Sequence, residues 1–171
     1  MPSVLPDESF SGHELELLHD VSASIQAFSD LNELLRHILR KIKTAFDIEG
    51  ASIALHDPAQ KEFFFIRTVE EETQQALDDA KPMRFPDHYG VAGWVFRKNR
   101  SVIIPDVEND ERFANTLNLQ QAFQTRSMIC TPLNTAKERI GVLYALNKRK
   151  GTFTEHEARL LEVLAGPIAI S

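Results

Sequence analysis

The stretch Gly90–Phe113, GVAGWVFRKNRSVIIPDVENDERF, decides how the rest of the chain is read. Gly90 to Lys98 reads as a short helix, and Ser101 to Ile104 as a strand closed by Pro105-Asp106. Gly90 permits a positive-φ turn into the helix, and small Ala92 and Gly93 leave room for a ligand to approach the backbone. The open N–H groups at such a helix start, at the positive end of its dipole, suit a singly charged phosphodiester. The equally open alternative is that the glycines only let this helix pack tightly.

Outward toward the C-terminus, Asn109 to Arg126 is polar with scattered Phe113, Leu117, Leu119 and Phe123, a loop with one or two helical turns. Met128–Leu133 and Arg139–Asn147 pair as strands, followed by a basic turn at Gly151. Thr154 to Ile170 forms a last helix with Leu160, Leu161, Leu164 and Ile168 inward. It ends on apolar residues without a Gly cap, so further chain is expected.

Outward toward the N-terminus, Met83-Arg84-Phe85 is a short strand stopped by Pro86, and acidic Glu70–Lys81 leaves helix and loop both open. Ala51–Leu55 and Glu62–Val69 flank His56–Gln60 as a hairpin. Asp30 and Glu33 form an N-cap pair for a helix with Leu31, Leu34, Leu35, Ile38, Ile42, Ala45 and Phe46 on one stripe. Before it, Glu14–Phe28 repeats Leu15, Leu18, Val21, Ile25 and Phe28 at helical spacing. Leu17 and Val21 lie off the Leu18–Ile25 line, so this helix expects a second partner.

The bulk composition narrows the function. The chain has 171 residues, 43% apolar and 26% charged, and a formal charge of −6. It is long enough for one cored domain, with no apolar run near the ~18–20 residues a bilayer needs. With no basic leader, the expected compartment is cytoplasmic. The acidic balance disfavours a nucleic-acid partner, since Lys148-Arg149-Lys150 is the one basic cluster and reads as a solvated turn. One cysteine, Cys130, excludes an internal disulfide, a multi-Cys zinc site and a Cys-pair redox cycle. The six histidines show no metal-ligand spacing, and only His88 sits beside the Gly90 helix. No nucleophile–base arrangement stands out, so no catalytic residue, metal or cofactor is expected.

The Gly90–Phe113 segment, then MICTPL (128–133), IGVLYALNK (140–148) and FTEHEARLLEVLAGPIAI (153–170), resemble the successive signatures of GAF domains, in order and at suitable intervals. The resemblance implies an α+β fold: a six-stranded antiparallel sheet, N- and C-terminal helices on one face, and a loop-roofed ligand pocket on the other. Residues 1–30 would be a tail and signalling helix, and 31–171 the domain. The match is closest to the cyclic-nucleotide-binding type found in phosphodiesterases and bacterial cyclases. That likeness places the cyclic phosphate on Val91 and Ala92, and the base or ribose near Ser52, Thr125, Arg126 and Tyr144. Phe113 and Phe123 read as loop anchors rather than ring clamps.

Members of that type carry an Asn-Lys, a Phe, and then Asp-Glu three residues on. This chain has Asn147-Lys148, Phe153 and Glu157-Ala158, so Lys148 and Glu157 are kept as a lid lock while the second acid is missing. Thr154 and Glu157 also spell a capping box, and one glutamate is not expected to serve both. The pigment-attaching cysteine of bilin-binding members and the cysteines of methionine sulfoxide reductases have no counterparts.

The expected function is a regulatory sensor of a cyclic nucleotide, with cAMP taken before cGMP only as the commoner bacterial signal. It would act as a homodimer through its terminal helices, with no membrane insertion, on an effector such as a diguanylate cyclase or histidine kinase. The alternatives are a ligand-free dimerisation module and a sensor of another metabolite.

Overall fold

The computed structural model describes residues 10–28, 30–70, 84–110 and 125–169. Helix α1 (Gly12–Ala27) starts two residues before the expected Glu14, because Ser11 caps it. The Glu14 amide donates to Ser11 Oγ at 3.2 Å and the Ser11 amide donates to Glu14 Oε1 at 2.9 Å, a reciprocal capping box. Helix α2 (Leu31–Phe46) begins directly after Asp30, whose carbonyl accepts the Leu34 N–H at 3.0 Å. Its buried stripe is Leu34, Leu35, Ile38, Leu39, Ile42 and Phe46. Leu31 and Ala45, expected on that stripe, are exposed, and Leu39 takes a place in it.

Strands β1 (Ile48–Asp57) and β2 (Glu62–Glu70) form the expected hairpin, each longer than its apolar run. Asp57 Oδ1 accepts the amides of Ala59 and Gln60, the local bond that favours aspartate at turns. Then come β3 (Arg84–Pro86), helix α3 (Gly90–Lys98), β4 (Val102–Ile104) and a 3-10 turn at Val107–Asn109. Strands β5 (Met128–Asn134) and β6 (Arg139–Lys148) and helix α4 (Glu155–Ala169) complete the described elements. Phe113, Phe123, Met83 and the stretch 71–81 lie outside the described residues, so the readings placed on them are untouched.

The sheet has six strands in the order β3-β2-β1-β6-β5-β4, with every neighbouring pair antiparallel. Along β6 the side chains alternate, as a pleated strand dictates. Leu143 and Ala145 join the cluster under α1, α2 and α4, whereas Val142, Tyr144 and Leu146 join the cluster on the other face with α3. All seven residues expected between helices and sheet are buried: Leu34, Leu35, Ile38, Ile42, Leu160, Leu161 and Leu164. Each fully buried leucine or isoleucine stabilises the fold by roughly 1.5–3 kcal/mol relative to exposure.

The apolar surplus of α1 is absorbed within the chain. Leu17 and Val21, which were expected to seek a second partner, face the core, with Leu18, Ile25 and Phe28 packed at its margin. Among the described residues, the large apolar side chains that stay exposed are Leu15, Leu31 on α2 and Val163 on α4. The stripe therefore widens because α1 touches both α2 and α4. No described helix is long and apolar enough to cross a membrane.

Candidate functional site

The sheet register lays a row of side chains from Ser52 to Val102 across four strands, on the face that carries α3. Ser52 pairs with Tyr144, Tyr144 with Cys130, and Cys130 with Val102. Ser52, Tyr144 and Cys130 are all buried. Burial pushes the Tyr144 phenol well up, with neighbouring Cys130 adding to it, and burial alone pushes up the Cys130 thiol. The row therefore offers neutral hydroxyls, which read hydrogen-bonding edges. The thiol stays protonated, not the nucleophilic thiolate. Phe65 lies beside Tyr144, ring centroids 6.1 Å apart, and Phe63 and Phe85 continue the apolar surface.

Helix α3 packs its start into the same cluster: Val91, Ala92 and Val95 are buried with Tyr144 and Cys130. Gly90 has φ 66°, the left-handed turn expected of it. Tyr89, at the N-cap, makes no side-chain capping bond. The opening amides of α3 thus have no intrahelical partner, at the end of a helix that favours negative charge. Gly93 corrects the expectation that its small size serves a ligand. A Cβ there would meet the His88 carbonyl carbon at 2.5 Å, so this glycine lets the preceding turn fold back over the helix.

Thr125 is buried, whereas Arg126 is occupied away from the row. Its guanidinium grips Glu49 at 2.8 and 3.2 Å, although the resemblance places Arg126 near a base or ribose. The cause is Asn147, buried and left-handed with φ 61°. Its Oδ1 accepts the amides of Arg126 at 2.6 Å and Ser127 at 3.1 Å, and its Nδ2 donates to Glu49 at 3.1 Å. Asparagine tolerates this conformation better than most residues. The Asn-Lys pair carries this signal in the sequence, through its asparagine as much as its lysine.

Lys148 and Glu157 meet, on the helix side of the sheet. Lys148 Nζ donates to Glu157 Oε2 at 2.5 Å and to the Phe46 carbonyl at the end of α2 at 2.7 Å. Glu157 Oε1 accepts the Thr154 amide at 2.9 Å, and the Glu157 amide donates to Thr154 Oγ1 at 3.1 Å. One carboxylate therefore serves ion pair and capping box together, one oxygen for each, contrary to the expectation that the roles compete. Among the described residues no cluster of three or more His, Cys, Asp or Glu is placed to hold a metal ion.

A family model described as "GAF domain" matches residues 30–171. The chain belongs to the GAF domain family. It is 28% identical over 156 residues to a Caenorhabditis elegans protein named "Probable 3',5'-cyclic phosphodiesterase", covering 86% of this chain and 21% of that protein. It is 27% identical over 158 residues to a Takifugu rubripes "Dual 3',5'-cyclic-AMP and -GMP phosphodiesterase", covering 87% of this chain and 17% of that protein. The chain thus spans about a fifth of the length of these relatives. Among solved structures it resembles the GAF domain of a Coxiella burnetii phosphoenolpyruvate-protein phosphotransferase. The TM-score is 0.79 at 17% identity, with 92% of this chain and 90% of that chain covered. The last likeness speaks to the fold alone.

In this GAF domain the Glu49–Arg126 pair holds the segment that leads into β5. The Arg126 guanidinium beside Glu49 keeps its carboxyl below the usual carboxylate range, with the Asn147 amide and Arg149 helping. A depressed folded-state value means the pair contributes stability at neutral pH that is lost as pH falls through that lowered value. Arg126 is 54% exposed, so the contribution is held to about 0–1 kcal/mol. Glu49→Gln is expected to lose that amount at pH 7 and show a shallower acid loss, measured by urea unfolding between pH 7 and 3.

Proposed function

We propose that this GAF domain is a regulatory sensor that binds a cyclic nucleotide on the α3 face of the sheet. The observation that carries the reading is the joining of two features in one apolar cluster. A neutral, hydroxyl-bearing row (Ser52, Tyr144) lies next to an uncapped helix start (Gly90, Val91, Ala92). A cyclic phosphodiester with a purine has the matching halves: one negative charge and a planar, uncharged, hydrogen-bonding ring. The amides of Val91 and Ala92 would take the phosphate, and Ser52, Thr125 and Tyr144 the base and ribose. Arg126 would act through Glu49, steadying Thr125 rather than touching ligand. The cyclic phosphodiesterases among its relatives support the same class. Homodimerisation through α1 and α4, and an effector such as a cyclase or kinase beyond α4, belong to this proposal.

The test is a melting series with cAMP and with cGMP on protein freed of co-purified ligand. A nucleotide at 100 times its dissociation constant adds about 2.7 kcal/mol, which for this size raises the midpoint by roughly 5–10 °C. No shift with either nucleotide refutes the reading. The second reading, a ligand-free interaction module, is favoured by the burial of Ser52, Val91, Ala92 and Tyr144 to 6% exposure or less. It predicts a flat series.

A further inference from the structure

Helices α3 and α4 lie on opposite faces of the sheet, α3 with Tyr144 and Cys130, α4 with Ile129 and Leu143. β4 is an edge strand, and α3 ends at Lys98 while β4 begins at Val102. Asn99, Arg100 and Ser101 alone join them, and both ends of this link are tied. At the α3 end, Asn99 is left-handed with φ 56°, its amide donating to the Val95 carbonyl at 2.8 Å. Its Oδ1 accepts from Asn134 Nδ2 at 2.6 Å. Arg139, the cross-strand partner of Asn134, donates to the Phe96 and Arg97 carbonyls at 3.0 and 3.1 Å. The closing pair of the β5–β6 hairpin thus grips the helix end, including carbonyls that a last turn leaves open.

At the other end, Ser101 Oγ lies 2.6 Å from Thr131 Oγ1 and donates to Glu162 Oε2 of α4 at 2.7 Å. A hydroxyl has one proton to give. That of Ser101 goes to the carboxylate, so Thr131 is the donor in the first bond. Thr131 is 1% exposed, and a buried hydroxyl is costly to leave unbonded. Ser101 is therefore held in place where it meets α4. Glu162 Oε1 faces Arg159 Nε at 3.7 Å, which leaves Oε2 for the serine.

We propose that Asn99–Ser101 is a strap round the β4 edge that couples α3 to α4, with Glu162 as its anchor on α4. The two peptide units between Asn99 and Ser101 reach at most about 7 Å, so a displacement of the α3 C-terminus arrives at Ser101 with little slack. Ser101 hands it to Glu162. This route is separate from the Lys148–Glu157 contact, which reaches the first turn of α4 from the end of β6. The strap needs no ligand, but its use as a signal rests on the cyclic-nucleotide reading above.

The experiment perturbs one end and reads the other. Arg139→Met keeps the apolar stem and removes both bonds to α3. Amide hydrogen exchange at constant pH is followed in α3 (95–99), α4 (160–166) and α2 (38–42), in wild-type, Glu162→Ala and Glu162→Gln backgrounds. Arg139→Met should speed exchange about threefold in α3 and about twofold in α4, and leave α2 unchanged. With Glu162→Ala the α3 response should persist and the α4 response vanish. Glu162→Gln still offers Ser101 a carbonyl oxygen and should restore it. An α4 response that survives Glu162→Ala overturns the proposal, as does one that is absent from the wild-type background or missing with Glu162→Gln. A response that α2 shares is global loosening and overturns it too. Repeating the exchange with saturating cAMP or cGMP tests the signal. The nucleotide-induced change in α4 should be smaller in Glu162→Ala than in wild type, with the change in α3 equal. Equal changes in α4 would remove the strap from signalling. If neither nucleotide binds, the proposed ligand fails while the Arg139→Met comparison still decides the strap.

Discussion

Substituting alanine for Gly141 is expected to cost about 4 kcal/mol or more of folding stability, above the range of ordinary overpacking. Gly141 sits in β6 opposite Leu55 of β1 and Leu133 of β5. A Cβ there would lie 2.1 Å from the Ala54 carbonyl oxygen, 3.0 Å from Leu55 Cα and 3.1 Å from the Ala54 carbonyl carbon. Every one of these is backbone, so no rotamer change relieves the contact. β1 cannot retreat either, because it is bonded to β2 on its other side, where the register already shifts between Ile53 and Ala54. The side chain is accommodated only by opening the end of the ladder between β1 and β6, the two central strands. Gly12→Ala and Gly166→Ala are the controls, since a Cβ at either meets nothing within 4 Å. In helices they should be neutral or stabilising by up to about 1 kcal/mol. Urea unfolding decides, and a Gly141→Ala protein within 1 kcal/mol of wild type would mean the two central strands are far less tightly bonded than they look.

That glycine also marks where sequence reading stops. Gly141 lies within the strand segment IGVLYALNK, yet nothing in its neighbours announces that a backbone from residue 54 passes over it. The features that repeat along the chain were legible. The stripe of α4, that of α2 apart from exposed Leu31 and Ala45, the strand at β6 and the turn glycine at Gly90 fell where local pattern and φ preference put them. Features set by an approach from elsewhere were not. Gly93 looked like room for a ligand and proved to be room for His88. Leu17 and Val21 looked like surplus apolar surface because a helix wheel cannot show two neighbours, α2 and α4, bracketing one helix. Asn147 shows the limit most clearly. Sequence marks Asn147 only as half of the Asn-Lys pair, whereas its left-handed backbone turns the amide onto Arg126, Ser127 and Glu49. That network in turn explains why Arg126, placed by resemblance at the ligand, faces a carboxylate instead. The Ser52–Tyr144–Cys130 row is intermediate. Two of its members were named from resemblance, and the register that aligns them came only with the sheet.

Glu157→Ala should cost about 3 kcal/mol, because it removes two bonds held by one carboxylate. Loss of the cap on the Thr154 amide is worth about 1 kcal/mol. The rest comes from the pair with Lys148, whose side chains are 15% and 19% exposed. That places the pair between a surface bridge, about 0–1 kcal/mol, and a fully buried one, about 3–5 kcal/mol when one partner is removed. Lys148→Ala should cost less, about 1–2 kcal/mol, since Glu157 keeps its cap and retains access to water. The physical content lies in the coupling. Lys148 holds the Phe46 carbonyl with the same ammonium that holds Glu157, so it joins the last turn of α2 to the first turn of α4. Combining Lys148→Ala with Glu157→Gln in a double-mutant cycle isolates that joint from the cap, which glutamine can still make through its carbonyl oxygen. A coupling of about 1 kcal/mol in unfolding free energy is expected for a pair this sheltered. Zero coupling would leave Glu157 as a helix cap and Lys148 as a bystander. Run on nucleotide affinity, the same cycle asks whether the joint senses the ligand face. Because the pair lies across the sheet from Ser52 and Tyr144, any coupling there must travel through β6, where Tyr144 and Lys148 share one strand.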